Sequence, residues 1–508
     1  MLEGFLMSAL VSVTRFTVTL VVSFAVVGCT TVIPIDLEEK SLEAQRELMS
    51  SIQTQEPLLD DLTLYDAMAR ALKYNLDAKI ELEDEIFRRR QNEVTRSGMW
   101  PSLVASFTTN SRNNDAGSSS LSLLSNRESL EPSTSTERDY YTADLTASWN
   151  LLDFGLVYAQ TQQGNTEEAI AKERRRKVIN RVLESVRTAY WRAVSAERTY
   201  TKLLELESFA QKALNQASQL ENSRRVPLLK TLEYQRDLLK VQKNVQELQR
   251  KLMLAKYQLA ALINLPPHSD FKLQIPNRTD RVPSLPASAR QMVRYGLYYR
   301  PELRELFYEQ EINQFKKDSA FYESLPGVEF ILGGNYTSNE YLYNDSWLSF
   351  SSRVSWNLVS LFRYPLRKKA LEAEADVLFA RQQAMVMAIT TQVHVSRARY
   401  IRLTRELNTI RRSHDVQGKI AGLTEAGYNA NQVSQRQLVM ERMNEILNEI
   451  SYDSAYADLQ NAYASLYSSM GLAYFDIDLN EDLDIDELAE KLEYQWTHRS
   501  LVLPKLGG

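Results

Sequence analysis

Tyr141-Thr142-Ala143-Asp144-Leu145-Thr146-Ala147-Ser148-Trp149-Asn150-Leu151 alternates without a break over eleven residues, apolar at odd positions and hydrophilic at even ones. Side chains on a strand repeat every second residue, so this stretch reads as a strand with one apolar and one hydrophilic face. The pattern returns later: Leu348, Phe350, Val354, Trp356 and Leu358 alternate with Ser349, Ser351, Arg353, Ser355 and Asn357. Residues 102–110 and 328–336 read as partner strands with looser alternation. A half-buried sheet in a soluble protein also alternates, but here aromatics bracket the strands. Tyr140 and Tyr141 stand against Trp149, and Trp347 against Trp356. The nine steps from Trp347 to Trp356 cover about 30 Å. Tilted by about 40° they rise about 23 Å, close to the apolar band of an outer-membrane barrel. Tyr141, Trp149, Trp347 and Trp356 are therefore expected as membrane-girdle aromatics, with apolar side chains toward lipid and polar ones toward a wet lumen. Four strands cannot close alone, because an open edge cannot face lipid and the smallest bacterial barrels use about eight strands. Several copies must pool strands. Two would give eight and three twelve, and arithmetic does not choose.

The strands belong to a doubled plan. Tyr74-Asn75-Leu76-Asp77 precedes Tyr299-Arg300-Pro301-Glu302 by 225 residues, and Trp100-Pro101 precedes Leu325-Pro326 by the same 225. Trp149-Asn150-Leu151 precedes Trp356-Asn357-Leu358 by 207, so the first copy carries 18 more residues, in a Ser- and Asn-rich loop over 110–139. Each copy reads helix, strand, loop, strand, very long helix, turn, long helix. Gly and Pro number only 16 and 14, which favours long uninterrupted helices. The first long helix is expected over 156–222, roughly 100 Å at 1.5 Å per residue. Val226-Pro227 breaks it, and the next helix runs to about 264, before Pro266-Pro267. In the second copy the helices are expected over 366–425 and on to about 470, turning near Gly427. Such lengths read as coiled coils.

The 508 residues carry 60 basic and 65 acidic side chains, a balance without the basic stripe that nucleic acid would need. The one cysteine, Cys29, excludes an internal disulfide. It follows a short apolar run, 16–28, too short to span a bilayer but suited to a signal peptide. Val26-Val27-Gly28-Cys29 resembles the bacterial lipobox, in which the cysteine sulfur takes a diacylglycerol. Thr30 stands where inner-membrane lipoproteins carry Asp, which implies the outer membrane. The expected organisation is a lipoprotein signal peptide over 1–28, a lipid-anchored segment over 29–61, repeats over 62–287 and 288–475, and an acidic solvated tail over 476–508.

Leu62-Thr63-Leu64-Tyr65-Asp66-Ala67 leads to Tyr74-Asn75-Leu76, and Pro101-Ser102-Leu103 enters the first strand. Trp149-Asn150-Leu151-Leu152-Asp153-Phe154-Gly155 closes the second strand, and Glu425-Ala426-Gly427-Tyr428 marks the second helical turn. In this order these stretches make residues 62–472 resemble the TolC-type outer-membrane efflux family. With Cys29, the chain resembles its acylated members. The resemblance implies a mainly α protomer with membrane β strands. It implies a homotrimer with a twelve-stranded outer-membrane barrel and a helical tunnel across the periplasm. The tips would dock on a periplasmic adaptor and an inner-membrane transporter. It implies passage rather than catalysis, with no cofactor. Some members close the tip with acidic rings after the second turn. The matching positions here are Gln437 and Met440, beside Glu441, so an acidic gate is not carried over. Arg225 replaces the glycine usual at the first turn. Asp415, Gln437 and Glu441 are lumen or gate candidates. The turns over 223–229 and 427–433, with Arg225, Val226, Pro227, Gly427 and Tyr428, are candidate adaptor contacts.

Asp476, Asp478, Asn480, Asp482 and Glu487 mimic the ligand spacing of a calcium loop, but Glu481 occupies the position that needs glycine. The histidines His268, His394, His414 and His498 are too scattered for a metal site. No phosphate-binding loop or hydrolase motif is present. The same fold would also serve one-step (type I) protein secretion. A structural lipoprotein, a periplasmic coiled-coil spacer, would account for the helices and Cys29 but not for the bracketed strands.

Overall fold

The computed structural model describes residues 36–508, except 59–60, 129–130, 224–226, 267–268, 270, 279–281, 474–482, 499–502 and 505–508. It divides into two units, Met1–Pro57 and Leu58–Gly508. In the first, Asp36 caps helix α1 (Leu37–Gln53) by accepting from the backbone N–H groups of Glu38 and Glu39. No α1 residue is buried.

The second unit runs through one element order twice. Helices α2 (Leu64–Tyr74) and α3 (Leu76–Ser97) lead into strand β1 (Ser102–Ser111). A loop with a small hairpin, β2 (Gly117–Ser118) and β3 (Ser133–Thr134), returns to β4 (Asp139–Asn150). Helices α4 (Leu151–Ser223) and α5 (Leu228–Leu262) follow. The series then repeats as α6 (Ala289–Tyr299), α7 (Pro301–Tyr322), β5 (Gly327–Thr337), β6 (Ser346–Ser355), α8 (Leu358–Asn429) and α9 (Gln435–Ser469).

The two runs share their punctuation. Thr63 and Asp66 form a reciprocal capping box at the start of α2, and Ser288 and Gln291 form the same box, 225 positions on, at α6. Strands β4 and β6 each pass almost directly into a long helix. Asn150 Oδ1 accepts from Leu152 N at 3.0 Å, and Asn357 Oδ1 from Val359 N at 3.1 Å. These side chains satisfy helix N–H groups that have no partner inside the helix. The long helices therefore begin earlier than the expected 156 and 366. Helix α8 even runs through Pro365, which removes one backbone bond near its start but leaves the rest of the helix intact. At about 1.5 Å per residue the 73 residues of α4 extend about 110 Å.

The main sheet has the order β1-β4-β5-β6, all pairs antiparallel. The helices continue the same lateral order. Helix α4 packs between α3 and α7 nearest the sheet and between α5 and α9 farther on, and α8 packs beside α7 and then α9. Two equivalent cores hold the middle. In one, Met68 of α2 packs with Val186, Tyr190 and Leu259. In the other, Met292 of α6 packs with Ile389, Val393 and Leu466. A third core, with Leu203, Ala213, Leu238, Val439 and Met443, joins α4, α5 and α9. Buried charges add to this joint: Asp453 of α9 faces Arg198 at 2.5 Å and Arg278 at 2.6 Å. Burial holds the Asp453 carboxyl above its ordinary range despite its bond to Arg278.

The expected solvated acidic tail is corrected over part of its length. Residues Ile485–His498 form helix α10, whose Ile485, Leu488, Ala489 and Leu492 are buried in the first core. The apolar residues recur at helical spacing between the acidic ones, so one face packs while the carboxylates stay outside. Trp496 at its end lies 4.0 Å from the buried Arg187 guanidinium. Burial pulls Arg187 down to about 10, which leaves it charged at neutral pH.

Candidate channel wall and helical tips

The strand register sorts the side chains into two faces. On one, Leu103, Ala147, Leu332 and Phe350 form a continuous row across all four strands, and Ala105, Leu145, Gly334 and Leu348 form the next. On the other, the rows are Val104, Thr146, Gly333 and Ser349, then Ser106, Asp144, Asn335 and Trp347. The alternation read in β4 thus extends through the looser strands. Residues at the apolar face are broadly exposed, with Leu348 at 84% and Phe350 at 71%.

Of the expected girdle aromatics, Tyr141 and Trp149 lie on the apolar face near opposite ends of β4. Tyr141 packs 5.5 Å from Phe107 and 5.9 Å from Tyr336, two ring positions that the looser alternation of β1 and β5 concealed. Trp149 stacks edge-on with Phe154 at 5.9 Å, and Trp356 donates its indole N–H to the Ser324 carbonyl at 3.0 Å. Trp347 is a correction. It pairs with Asn335 on the hydrophilic face, because nine steps along a strand is an odd number and reverses the side relative to Trp356.

The far helical ends hold the other candidates. Cys29, Arg225 and Val226 lie outside the described residues, and Pro227 caps α5 without a side-chain hydrogen bond. Gly427 and Tyr428 belong to the last turn of α8, and the turn itself spans 430–434. Asn431 there has φ of 59°, and Ser434 caps α9 by accepting from Gln437 N. The Gly427 carbonyl accepts from Gln432 N at 2.8 Å, and a Cβ on Gly427 would lie 2.6 Å from Val433 Cγ2. The glycine lets the chain fold back this tightly.

The seam of α8 toward α9 follows a heptad through Ile389, Val393, Tyr400 and Leu407 and then turns polar. Gln417 Nε2 donates to Glu441 Oε2 at 2.8 Å, and His414 lies 5.3 Å from the Tyr452 ring. Glu441 therefore sits in this seam. Asp415 keeps 65% exposure of its side chain, and Gln437 is exposed beside the turn. The structure does not gather these three into one ring. It shows instead a cross-link between the two helix pairs, Arg436 of α9 to Asp237 of α5 at 2.5 Å. Arg442 to Glu425 at 2.8 Å ties α9 to α8.

Residues 87–265 match the family model described as outer membrane efflux protein. By sequence, no curated protein matches the chain. The fold matches solved outer-membrane channels over four fifths of the chain or more. CmeC of Campylobacter jejuni superposes with a TM-score of 0.64 at 12% identity, covering 85% of this chain and 90% of that one. The open state of MtrE of Neisseria gonorrhoeae gives 0.61 at 17%, covering 81% and 89%. The channel OprN gives 0.62 at 16%, covering 80% and 89%. Residues 87–265 are thus similar to outer membrane efflux proteins, and the chain has the fold of these solved outer-membrane channels.

Both lateral edges of this sheet and its helices are unfinished. Among the described residues, strands β1 and β6 each lack a neighbour on their outer side. On the β1 side, exposed Ile80, Phe87 and Val94 of α3 recur every seven residues, and Leu232, Leu239 and Met253 of α5 keep the same heptad. On the β6 side, Val359, Leu366 and Met387 of α8 form one exposed heptad row, and Val395, Val416 and Leu423 another. Rows of this kind are half of a coiled-coil seam.

Proposed function

We propose that three copies of this chain join edge to edge into an outer-membrane efflux channel. The observation that carries this reading is the pair of unfinished edges, an open strand and an apolar heptad row on each side of one protomer. A head-to-tail contact that joins unlike edges generates a closed ring when its rotation closes. Four strands from each of three copies give a twelve-stranded barrel with no edge exposed to lipid. The apolar face, with Tyr141, Trp149 and Trp356 among its girdle aromatics, contacts lipid. The hydrophilic face lines water, and the helices carry the lumen onward as a periplasmic tunnel.

The tips around 223–229 and 427–433 dock on a periplasmic adaptor, which connects the channel to an inner-membrane pump. The cargo is small molecules, and the work is transport rather than catalysis. Arg436 and Asp237 hold the α8–α9 pair against α5, so their separation loosens the tip. Cys29 carries the lipid that anchors the mature chain.

Ion conductance of the purified oligomer in a planar bilayer tests the channel. Wild type is expected to form a heat-labile trimer with discrete conducting steps. Arg436→Ala is expected to raise mean conductance roughly threefold or more, the shift that about 0.7 kcal/mol between closed and open tips would give. The pair is part-exposed, so its loss should alter stability by less than about 1 kcal/mol. Silence from both proteins would sink the channel reading and leave a lipid-anchored coiled-coil spacer. The anchor is tested separately: Cys29→Ser should abolish incorporation of labelled palmitate, and a labelled variant would refute acylation at this residue.

A further inference from the structure

Trp347 is the one tryptophan that the register places on the hydrophilic side of the sheet, where Tyr140 near the end of β4 is also aromatic and serines, threonines and asparagines surround them. It is fixed there. With the Asn335 amide oriented to satisfy its neighbours, Nδ2 donates to Asp144 Oδ1 at 3.0 Å. Asn335 Oδ1 then accepts from Trp347 Nε1 at 3.2 Å and from Ser349 Oγ at 2.9 Å. The opposite orientation would set oxygen against carboxylate and N–H against N–H. The ring itself keeps 45% exposure. A concavity of about 610 Å³ follows this part of the sheet and is lined by residues of both faces, Ser106, Asp144, Asn335 and Trp347 from the hydrophilic one.

The charges on this face are unequal. Glu329 and Arg353 lie 3.6 Å apart and offset each other. Among the described residues no cation forms an ion pair with Asp144, and its one amide bond leaves carboxylate lone pairs open. An indole and an unbalanced carboxylate thus share a row inside a low-dielectric wall. Such a wall concentrates the field of the carboxylate, and the face of an indole attracts cations.

We propose that the Asp144–Asn335–Trp347 row is a binding station for organic cations inside the barrel, repeated once per protomer around the lumen. It rests on the trimeric-channel reading and adds a substrate class to it. A flat or quaternary ammonium cation places its charge near Asp144 and its apolar surface on the indole. Asn335 positions both groups. Anions of similar shape meet the carboxylate and are disfavoured.

The test is binding of rhodamine 6G, a flat organic cation, to the full-length trimer in nanodiscs of neutral lipid, read by fluorescence anisotropy against empty nanodiscs. Wild type is expected to bind saturably. Trp347→Ala and the isosteric Asp144→Asn are each expected to weaken binding about fivefold or more. Phe350→Ala, on the same strand but the opposite face, leaves it unchanged, and carboxyfluorescein binds far more weakly than the cation. Asp144→Asn keeps the shape of the row and serves if Trp347→Ala fails to assemble. A conducting trimer that shows no saturable binding, or whose binding ignores both substitutions, overturns this inference alone. A chain that forms no conducting trimer overturns the channel reading, and this inference with it.

Discussion

Leu332→Arg will keep this protein from assembling in the outer membrane, whereas Thr146→Arg will not. Leu332 is central in β5, in the apolar row with Leu103, Ala147 and Phe350. Thr146 occupies the adjacent row on the opposite face, beside Gly333. An arginine on the lipid face near the bilayer centre costs about 2–4 kcal/mol per copy, and a closed trimer carries the cost three times. The same arginine on the lumen face stays in water. Heat-modifiable oligomer in the outer-membrane fraction, followed by gel mobility, separates the two variants. Equal assembly would show that neither face meets lipid. Assembly of Leu332→Arg with loss of Thr146→Arg would show that the apolar face points inward.

The contrast between these variants depends on a period of two, and that period was legible in residues 141–151 alone. So was the doubling, because paired motifs at fixed offsets need no structure to be seen. The same period also contained the correction at Trp347. Bracketing aromatics mark the two ends of a span only when they share a face, and residues 347 and 356 differ by an odd number. Register supplied what alternation could not, namely Phe107 and Tyr336 beside Tyr141, because β1 and β5 mix small and apolar residues on both sides. The early start of α8 was hidden by Pro365, which reads as a boundary although a helix can tolerate one lost bond near its first turns. The helix over Ile485–His498 was masked by the run of acidic residues before it. Its buried face is spread over Ile485, Leu488, Ala489 and Leu492 and becomes evident only against α2. The tip was the least legible part. Matching positions suggested where an acidic ring would lie, but a cross-link such as Arg436 to Asp237 spans 199 residues and leaves no local pattern.

Gly471→Ala is expected to be the most damaging small substitution in the helical part of the fold. Gly471 ends α9 with φ of +72°, a conformation that costs alanine about 1–2 kcal/mol. Space is the larger problem. A Cβ there would lie 2.5 Å from Tyr299 C and 2.7 Å from both Arg300 N and Tyr299 O. These are backbone atoms of the junction between α6 and α7, and no rotamer change can move them. Close by, a Cβ on Gly296 of α6 would meet Ser469 O at 3.1 Å, so the junction is packed tightly from both sides. Forced overpacking adds roughly 1–3 kcal/mol, for a total of about 2–5 kcal/mol. The equivalent site in the first repeat, 207 positions earlier, is Asn264, with φ of 54°. Asparagine tolerates this conformation better than most residues, so Asn264→Gly should change stability by no more than about 1 kcal/mol. Thermal unfolding followed by circular dichroism, with the trimer checked by gel, measures both. A Gly471→Ala protein that melts with wild type would mean that the α6–α7 junction can move aside. The second core would then be looser than its buried Met292, Ile389 and Leu466 imply.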